Sequence, residues 1–125
     1  MKKKRILIVD DEEAFGQMVK LNLEETGEYE VRIELKGAQA LAATRAFKPD
    51  LILLDIIMPD VDGGEICQRI QSDEGLKDIP IVFLTAIINE KELGSQGSII
   101  GGHPFLAKPV SKKKLIDCIE KNIRK

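Results

Sequence analysis

Tryptophan is absent from this chain of 125 residues, and aromatic residues make up only 4% of it. Base stacking therefore has little to work with, which argues against a single-strand nucleic-acid platform. Positive charge is not in excess either. The formal net charge of -2 argues against nucleic-acid binding driven by counterion release. Histidine occurs once, at His103, so no multi-histidine metal centre and no histidine relay can be built. Its neighbours Gly101, Gly102 and Pro104 place it in a loop. The two cysteines, Cys67 and Cys118, are far apart and in no metal-ligand spacing. Each falls within an apolar helical pattern, so both are expected as small buried hydrophobes, reduced, in a cytoplasmic protein. Long apolar runs are missing too. Behind the basic start Met1–Arg5, the run Ile6–Val9 stops at Asp10-Asp11-Glu12-Glu13. That is short of a signal-peptide core of about 7–15 residues and of the roughly 18 needed to span a membrane. The basic start is expected to be a solvated tail, and no membrane contact is expected.

What the chain does have is a series of short apolar segments, each ending in a chemically useful side chain. Ile6-Leu7-Ile8-Val9 ends in Asp10-Asp11. Leu51-Ile52-Leu53-Leu54 ends in Asp55. Ile81-Val82-Phe83-Leu84 ends in Thr85, and Phe105-Leu106-Ala107 ends in Lys108-Pro109. Continuous apolar runs of this length read as buried strands. Between them lie helical patterns. Glu12–Glu25 carries Phe15, Met18, Val19, Leu21 and Leu23 and is closed by Gly27. Gly37 opens an alanine-rich helix at about Ala38–Phe47. Gly64–Ser72 puts Ile66, Cys67 and Ile70 on one side. Asn89–Ser98 should form a fourth, poor helix, because Gly94 and Gly97 each cost about 1 kcal/mol relative to alanine. Ser111 is a suitable N-cap for a last helix, about Lys112–Arg124, with Leu115, Ile116, Ile119 and Ile123 as its apolar stripe. The segment Tyr29–Leu35 alternates apolar and charged residues, which marks a strand with one wet side at a sheet edge.

Five strands alternating with five helices predict an α/β protein in one domain, 1–125, with a parallel sheet covered on both faces. Ligands of such sheets bind beyond the carboxyl ends of the strands. Asp10, Asp11, Asp55, Thr85 and Lys108 all fall there. Adjacent carboxylates repel and raise one another's pKa, so a cation is expected among them. All-oxygen ligands with room for water suit Mg²⁺, with Mn²⁺ as a substitute. Asp55 stands where an apolar strand breaks into the loop Ile56–Asp62. It is the candidate nucleophile toward phosphorus, with Thr85 and Lys108 placed to contact the other phosphoryl oxygens.

The segments Ile-Leu-Ile-Val-Asp10-Asp11-Glu12, Pro49-Asp50-Leu-Ile-Leu-Leu-Asp55, Met58-Pro59-Asp60-Val61-Asp62-Gly63, Leu84-Thr85-Ala86 and Lys108-Pro109 occur in this order. Together they resemble the receiver domain of two-component response regulators over nearly the whole chain. The resemblance implies a flavodoxin-like doubly wound fold with sheet order 2-1-3-4-5. It makes Asp55 the phosphoacceptor, and Asp10, Asp11, Asp55 and the backbone carbonyl of Ile57 the Mg²⁺ ligands. Thr85 and Phe105 become the switch pair, and the Lys108–Pro109 peptide is implied to be cis. The implied donor is a histidine kinase or histidine phosphotransfer protein. The implied readout is a downstream protein that recognises the face of the fourth helix, fifth strand and fifth helix, and a dimer formed on phosphorylation belongs among the partners. The domain is not a turnover enzyme on this view.

Gly102 and Pro104 depart from the family's usual small and acidic residues before Phe105. With Gly94 and Gly97 they loosen the fourth-helix region. Ile57 and Ile87 put apolar side chains where polar ones help orient an attacking water, which suggests slow self-dephosphorylation. Lys112-Lys113-Lys114 forms a basic run at the start of the last helix. Three other readings compete. A flavin-binding flavodoxin would need a phosphate loop where Asp-Asp-Glu-Glu stands. A dehalogenase-like phosphatase would need a carboxylate at position 57. A degenerate receiver would mediate protein contacts without being phosphorylated.

Overall fold

The computed structural model describes residues 2–86, 99–100 and 102–123. The strands are β1 (Lys4–Val9), β2 (Tyr29–Glu34), β3 (Leu51–Asp55), β4 (Ile81–Thr85), β5 (Ile99–Ile100) and β6 (His103–Ala107). The helices are α1 (Glu13–Glu24), α2 (Ala40–Phe47), α3 (Gly63–Gln71) and α4 (Lys112–Asn122). The sheet order is β2-β1-β3-β4-β6-β5. Its first five strands are parallel, and the short β5 pairs antiparallel to β6 at the far edge. With β6 counted as the fifth parallel strand, this is the flavodoxin-like order 2-1-3-4-5. The addition to the expectation is β5, whose backbone pairs Ile99 with Pro104 and Ile100 with His103.

The continuous apolar strands are buried on both faces because their side chains alternate between two cores. Leu7, Val9, Ile52, Leu54, Ile81, Phe83 and Phe105 point to the side covered by α2 and α3, where they meet Ala40, Ala43, Ile66, Cys67 and Ile70. Ile6, Ile8, Leu51, Leu53, Val82 and Leu84 point the other way, onto Val19, Leu23, Leu115 and Ile119 of α1 and α4. β2 lies at the edge as its alternation predicts, with Tyr29 and Val31 buried and Glu30 and Arg32 exposed.

Several local expectations are corrected. Leu21 is 66% exposed, because two residues along a helix from Val19 is more than half a turn away from the buried face. The face of α1 that packs is Gly16, Val19 and Leu23, and a Cβ on Gly16 would lie 3.1 Å from Ile33 Cγ2. Gly37–Gln39 forms a 3₁₀ turn, so α2 starts at Ala40. Asp60 sets that turn by accepting from Ala38 N–H at 3.0 Å and Gly37 N–H at 3.3 Å. Those bonds hold its carboxyl below the ordinary range. His103 is the first residue of β6 rather than a loop residue, and its ring meets the Phe83 ring edge-on at 5.5 Å. Cys67 is buried as expected, whereas Cys118 is only half-buried, and both are free thiols. The basic start is not simply a solvated tail. Lys4 and Arg5 belong to β1 or its entry and carry ion pairs to Glu120 and Glu30. The helix expected over Asn89–Ser98, with Gly94 and Gly97, and the residue Ile87 lie outside the described residues.

Candidate functional site

All the residues singled out at strand ends converge at the carboxyl edge of β1, β3, β4 and β6. Asp10 follows β1 and is fully buried. Its N–H donates to Glu34 O at 3.0 Å, which continues the β1–β2 ladder by one residue. Its Oδ1 accepts from Glu12 N–H at 2.9 Å. Asp11, next along, is exposed. Asp55 is the last residue of β3 and is 4% exposed. Its Oδ1 accepts from Ile57 N–H at 3.2 Å, so the loop leaving β3 is tied to the carboxylate it surrounds. The Ile57 side chain is 58% exposed beside it. One carboxylate oxygen from each of Asp10, Asp11 and Asp55 lies within 4.8 Å of the others.

Lys108 enters from β6. Its N–H donates to Thr85 O at 2.8 Å, and its peptide bond to Pro109 is cis. The ammonium lies 2.6 Å from Asp10 Oδ2, 2.7 Å from Glu12 Oε1 and 3.7 Å from Asp55 Oδ2. Its side chain is 8% exposed, and Nζ sits 4.5 Å from the centroid of the Phe15 ring. Thr85, 3% exposed, ends β4 and stands in register with Ala107. Phe105 is 7% exposed and packs inward in the core on the α3 side.

Three carboxylates, from Asp10, Glu12 and Asp55, thus meet one ammonium with Asp11 close by, and the imbalance sets the electrostatics. Burial, reinforced by the Asp10 charge, pushes the Asp55 carboxyl up to about 6; Lys108 and the Ile57 N–H oppose the rise only in part. Burial alone would lower the Lys108 pKa, but Asp10 and Glu12 outweigh it and hold the ammonium firmly protonated. Asp10 Oδ2 is buried, has no hydrogen-bond partner among the described residues, and faces the Lys108 ammonium as an ion pair at 2.6 Å. A buried carboxylate oxygen without a hydrogen-bond donor, next to two more carboxylates, is a donor set for a hard divalent cation. The residues present fit Mg²⁺.

Three contributors were not assigned a role from the sequence. Glu12 was visible in the Asp10-Asp11-Glu12 run, but nothing in a linear pattern showed that it reaches Lys108. Phe15 read as an ordinary core position. Gly63 stood in the sequence only as the end of the Met58–Gly63 segment, but its role is close approach. A Cβ there would lie 2.3 Å from Asp55 O and 2.7 Å from Ile56 Cα. Only glycine lets the start of α3 press against the loop that leaves Asp55, and Gly63 N–H donates to Ile56 O at 2.9 Å.

This fold recurs in solved signalling proteins. The chemotaxis response regulator CheY4 of Vibrio cholerae superposes with a TM-score of 0.82 at 28% identity, covering 96% of this chain and 98% of that one. A CheY-like response regulator receiver domain protein from Methanospirillum hungatei superposes at 0.80 with 30% identity, covering 96% and 93%. Residues 6–120 match the response regulator receiver domain, and the chain belongs to that family. Among curated relatives, the DNA-binding dual master transcriptional regulator RpaA of a Synechocystis strain is 37% identical over 97% of this chain and 49% of its own length. The phosphate regulon transcriptional regulatory protein PhoB of Pseudomonas aeruginosa is 38% identical over 98% of this chain and 52% of its own. The chain spans about half the length of these curated relatives. Receiver domains of this family are signalling modules that bind Mg²⁺ through acidic residues, and here the acidic cluster is Asp10, Asp11 and Asp55. Among the described residues, no helix is long and apolar enough to cross a membrane.

Proposed function

We propose that Asp55 accepts a phosphoryl group from a phosphohistidine on a histidine kinase or histidine phosphotransfer protein. An Asp55 carboxylate oxygen forms the new bond to phosphorus, the phosphorus–nitrogen bond of a phosphohistidine protonated on its other ring nitrogen breaks with its electron pair going to nitrogen, and the neutral imidazole leaves. Asp10, Asp11, Asp55 and the carbonyl of Ile57 would hold Mg²⁺, or Mn²⁺ in its place. When bound, the ion neutralises phosphoryl oxygens that the carboxylates would otherwise repel. Lys108 pairs with a further phosphoryl oxygen, and the Thr85 hydroxyl donates to another. Asp10 keeps Lys108 beside the reacting carboxylate, and the loop N–H of Ile57 orients Asp55. The observation that carries this reading is the clustering of three carboxylates within 4.8 Å beside a buried lysine at the strand ends.

The acquired charge of about -1.5 to -2 biases a two-state element. Thr85 moves toward the phosphoryl group and Phe105 adjusts its packing, which alters the β6–α4 face for a downstream protein or a second copy. The domain works in the cytoplasm as a phosphorylated switch rather than a turnover enzyme, and it contacts no nucleic acid itself. Exposed Ile57 leaves no polar group at its position to orient water, so the phosphorylated form decays slowly. Replacing Ile57 with Asn should speed loss of the label; a wild type that decays faster than Ile57→Asn would refute this point. The central test is incubation with acetyl phosphate and Mg²⁺, read by intact-protein mass spectrometry. Phosphorylation should require the metal and vanish in Asp55→Asn. A chain that stays unmodified with metal and acetyl phosphate would instead be a degenerate receiver acting through protein contact alone.

A further inference from the structure

Glu12 occupies the N-cap position of α1, where an acceptor side chain ordinarily takes a hydrogen bond from a free helix N–H. It makes no such bond. Its carboxylate turns to Lys108 instead, with Nζ donating to Oε1 at 2.7 Å. Its backbone is fixed, because Glu12 N–H donates to Asp10 Oδ1 at 2.9 Å. Phe15, three residues on and therefore on the same face of the helix, closes the apolar side of the ammonium at 4.5 Å. The start of α1 thus forms a cradle for Lys108. In that cradle Lys108 is closer to Asp10 and Glu12 than to Asp55, at 2.6 and 2.7 Å against 3.7 Å.

We infer that Glu12 is a positioning residue that restrains Lys108 in the resting site and so sets how strongly the site binds a phosphoryl group. The inference rests on Asp55 as the phosphoacceptor. A lysine shared with Asp10 and Glu12 must give up part of that contact to reach a phosphoryl oxygen on Asp55. Asp10 is buried and cannot withdraw, whereas the Glu12 side chain is 59% exposed and can be rehydrated at little cost. Glu12 is therefore the partner that yields.

The test titrates beryllofluoride, at saturating Mg²⁺, into wild type, Glu12→Gln and Glu13→Gln, with Asp55→Asn as the non-binding control. Glu12→Gln keeps the shape and removes the competing charge, and it should bind about three- to fivefold more tightly, in keeping with an exposed ion pair. Glu13→Gln removes an equal charge one residue on, at an exposed position without a contact to Lys108, and should shift affinity by less than about twofold. A second readout needs neither metal nor phosphoryl mimic. Proton exchange at Lys108 Nζ, followed by NMR, should quicken in Glu12→Gln and stay unchanged in Glu13→Gln. Wild-type binding with Glu12→Gln no tighter than wild type overturns the inference and leaves the reading of Asp55 intact, as does unchanged Lys108 exchange. Equal tightening in Glu12→Gln and Glu13→Gln overturns it in favour of a general charge effect. Wild type that fails to bind beryllofluoride overturns both.

Discussion

The two ends of the parallel sheet handle charge in opposite ways. At the amino end, Lys4 pairs with Glu120 at 2.9 Å, and Arg5 lies 3.7 Å from Glu30 while its own N–H donates to Asp50 at 2.8 Å. Tyr29 adds a hydroxyl bond to Glu120, and the burial and nearby charge of that site push the Tyr29 pKa up. These charges are partly exposed and nearly matched in number. At the carboxyl end, Asp10, Glu12 and Asp55 share Lys108 while Asp11 lies beside Asp10 and Asp55, and the side chains of Asp10, Asp55 and Lys108 are almost fully buried. Matched, wet charges keep an edge soluble and contribute little else. Unmatched, buried negative charges store an unfavourable free energy that a bound cation can relieve. The contrast separates the end that maintains the fold from the end that uses it.

That contrast can be broken at several points. The largest effect is expected from Gly63→Ala. Its new Cβ meets backbone rather than a flexible side chain, so stability should fall by about 2–4 kcal/mol in a urea melt. A loss under about 1 kcal/mol would mean that the loop around Asp55 gives way easily.

Next comes Asp55→Asn in metal-free protein. The ordinary Asp55 value is 3.8 and the folded value about 6. A carboxyl raised on folding favours the native state when protonated, and that advantage fades as pH rises through about 6. Wild type should therefore gain stability from this group as pH falls from 7.5 toward 4. Asp55→Asn should exceed wild type by about 2–3 kcal/mol at pH 7.5, and the gap should close on acidification. A variant less stable than wild type at pH 7.5 would show that Lys108 already balances the site.

Mg²⁺ should act in the same direction on wild type. At a hundredfold excess over its dissociation constant it adds about 2.7 kcal/mol, raising the thermal midpoint, with a smaller gain in Asp55→Asn at the same concentration. The smallest effect belongs to the other end of the sheet. Lys4→Met should cost under about 1 kcal/mol and lose its effect in high salt. A cost comparable to that of Gly63→Ala would erase the distinction between the ends.

How much of this was legible in advance depends on distance along the chain. Leu51–Asp55 announced itself, because a short unbroken apolar run between Pro49-Asp50 and a Pro-containing loop reads as a strand buried on both faces, and the residue that follows the run then lies at the binding edge. Ser111 was equally legible, since its hydroxyl accepts from Lys114 N–H at 3.1 Å within one helical turn. Leu21 misled because an apolar residue between two buried ones looks buried until the helix is turned against the sheet. β5 escaped because a two-residue strand exists only through its pairing with β6. The 3₁₀ turn at Gly37 escaped because its carboxylate partner, Asp60, lies on another loop.

The two-sided core and the gathering of Asp10, Asp11, Asp55, Thr85 and Lys108 at one edge were determined by the sequence, whereas the order of the strands was implied only by the resemblance to receiver domains. Local periodicity and the handedness of strand–helix–strand crossovers allow few other arrangements. Tertiary structure alone decided that Glu12 and Phe15 cradle Lys108, that Gly63 must have no side chain, and that His103 joins a strand. Each depends on contact between segments distant in the chain, and the distances between them carry no periodic signal.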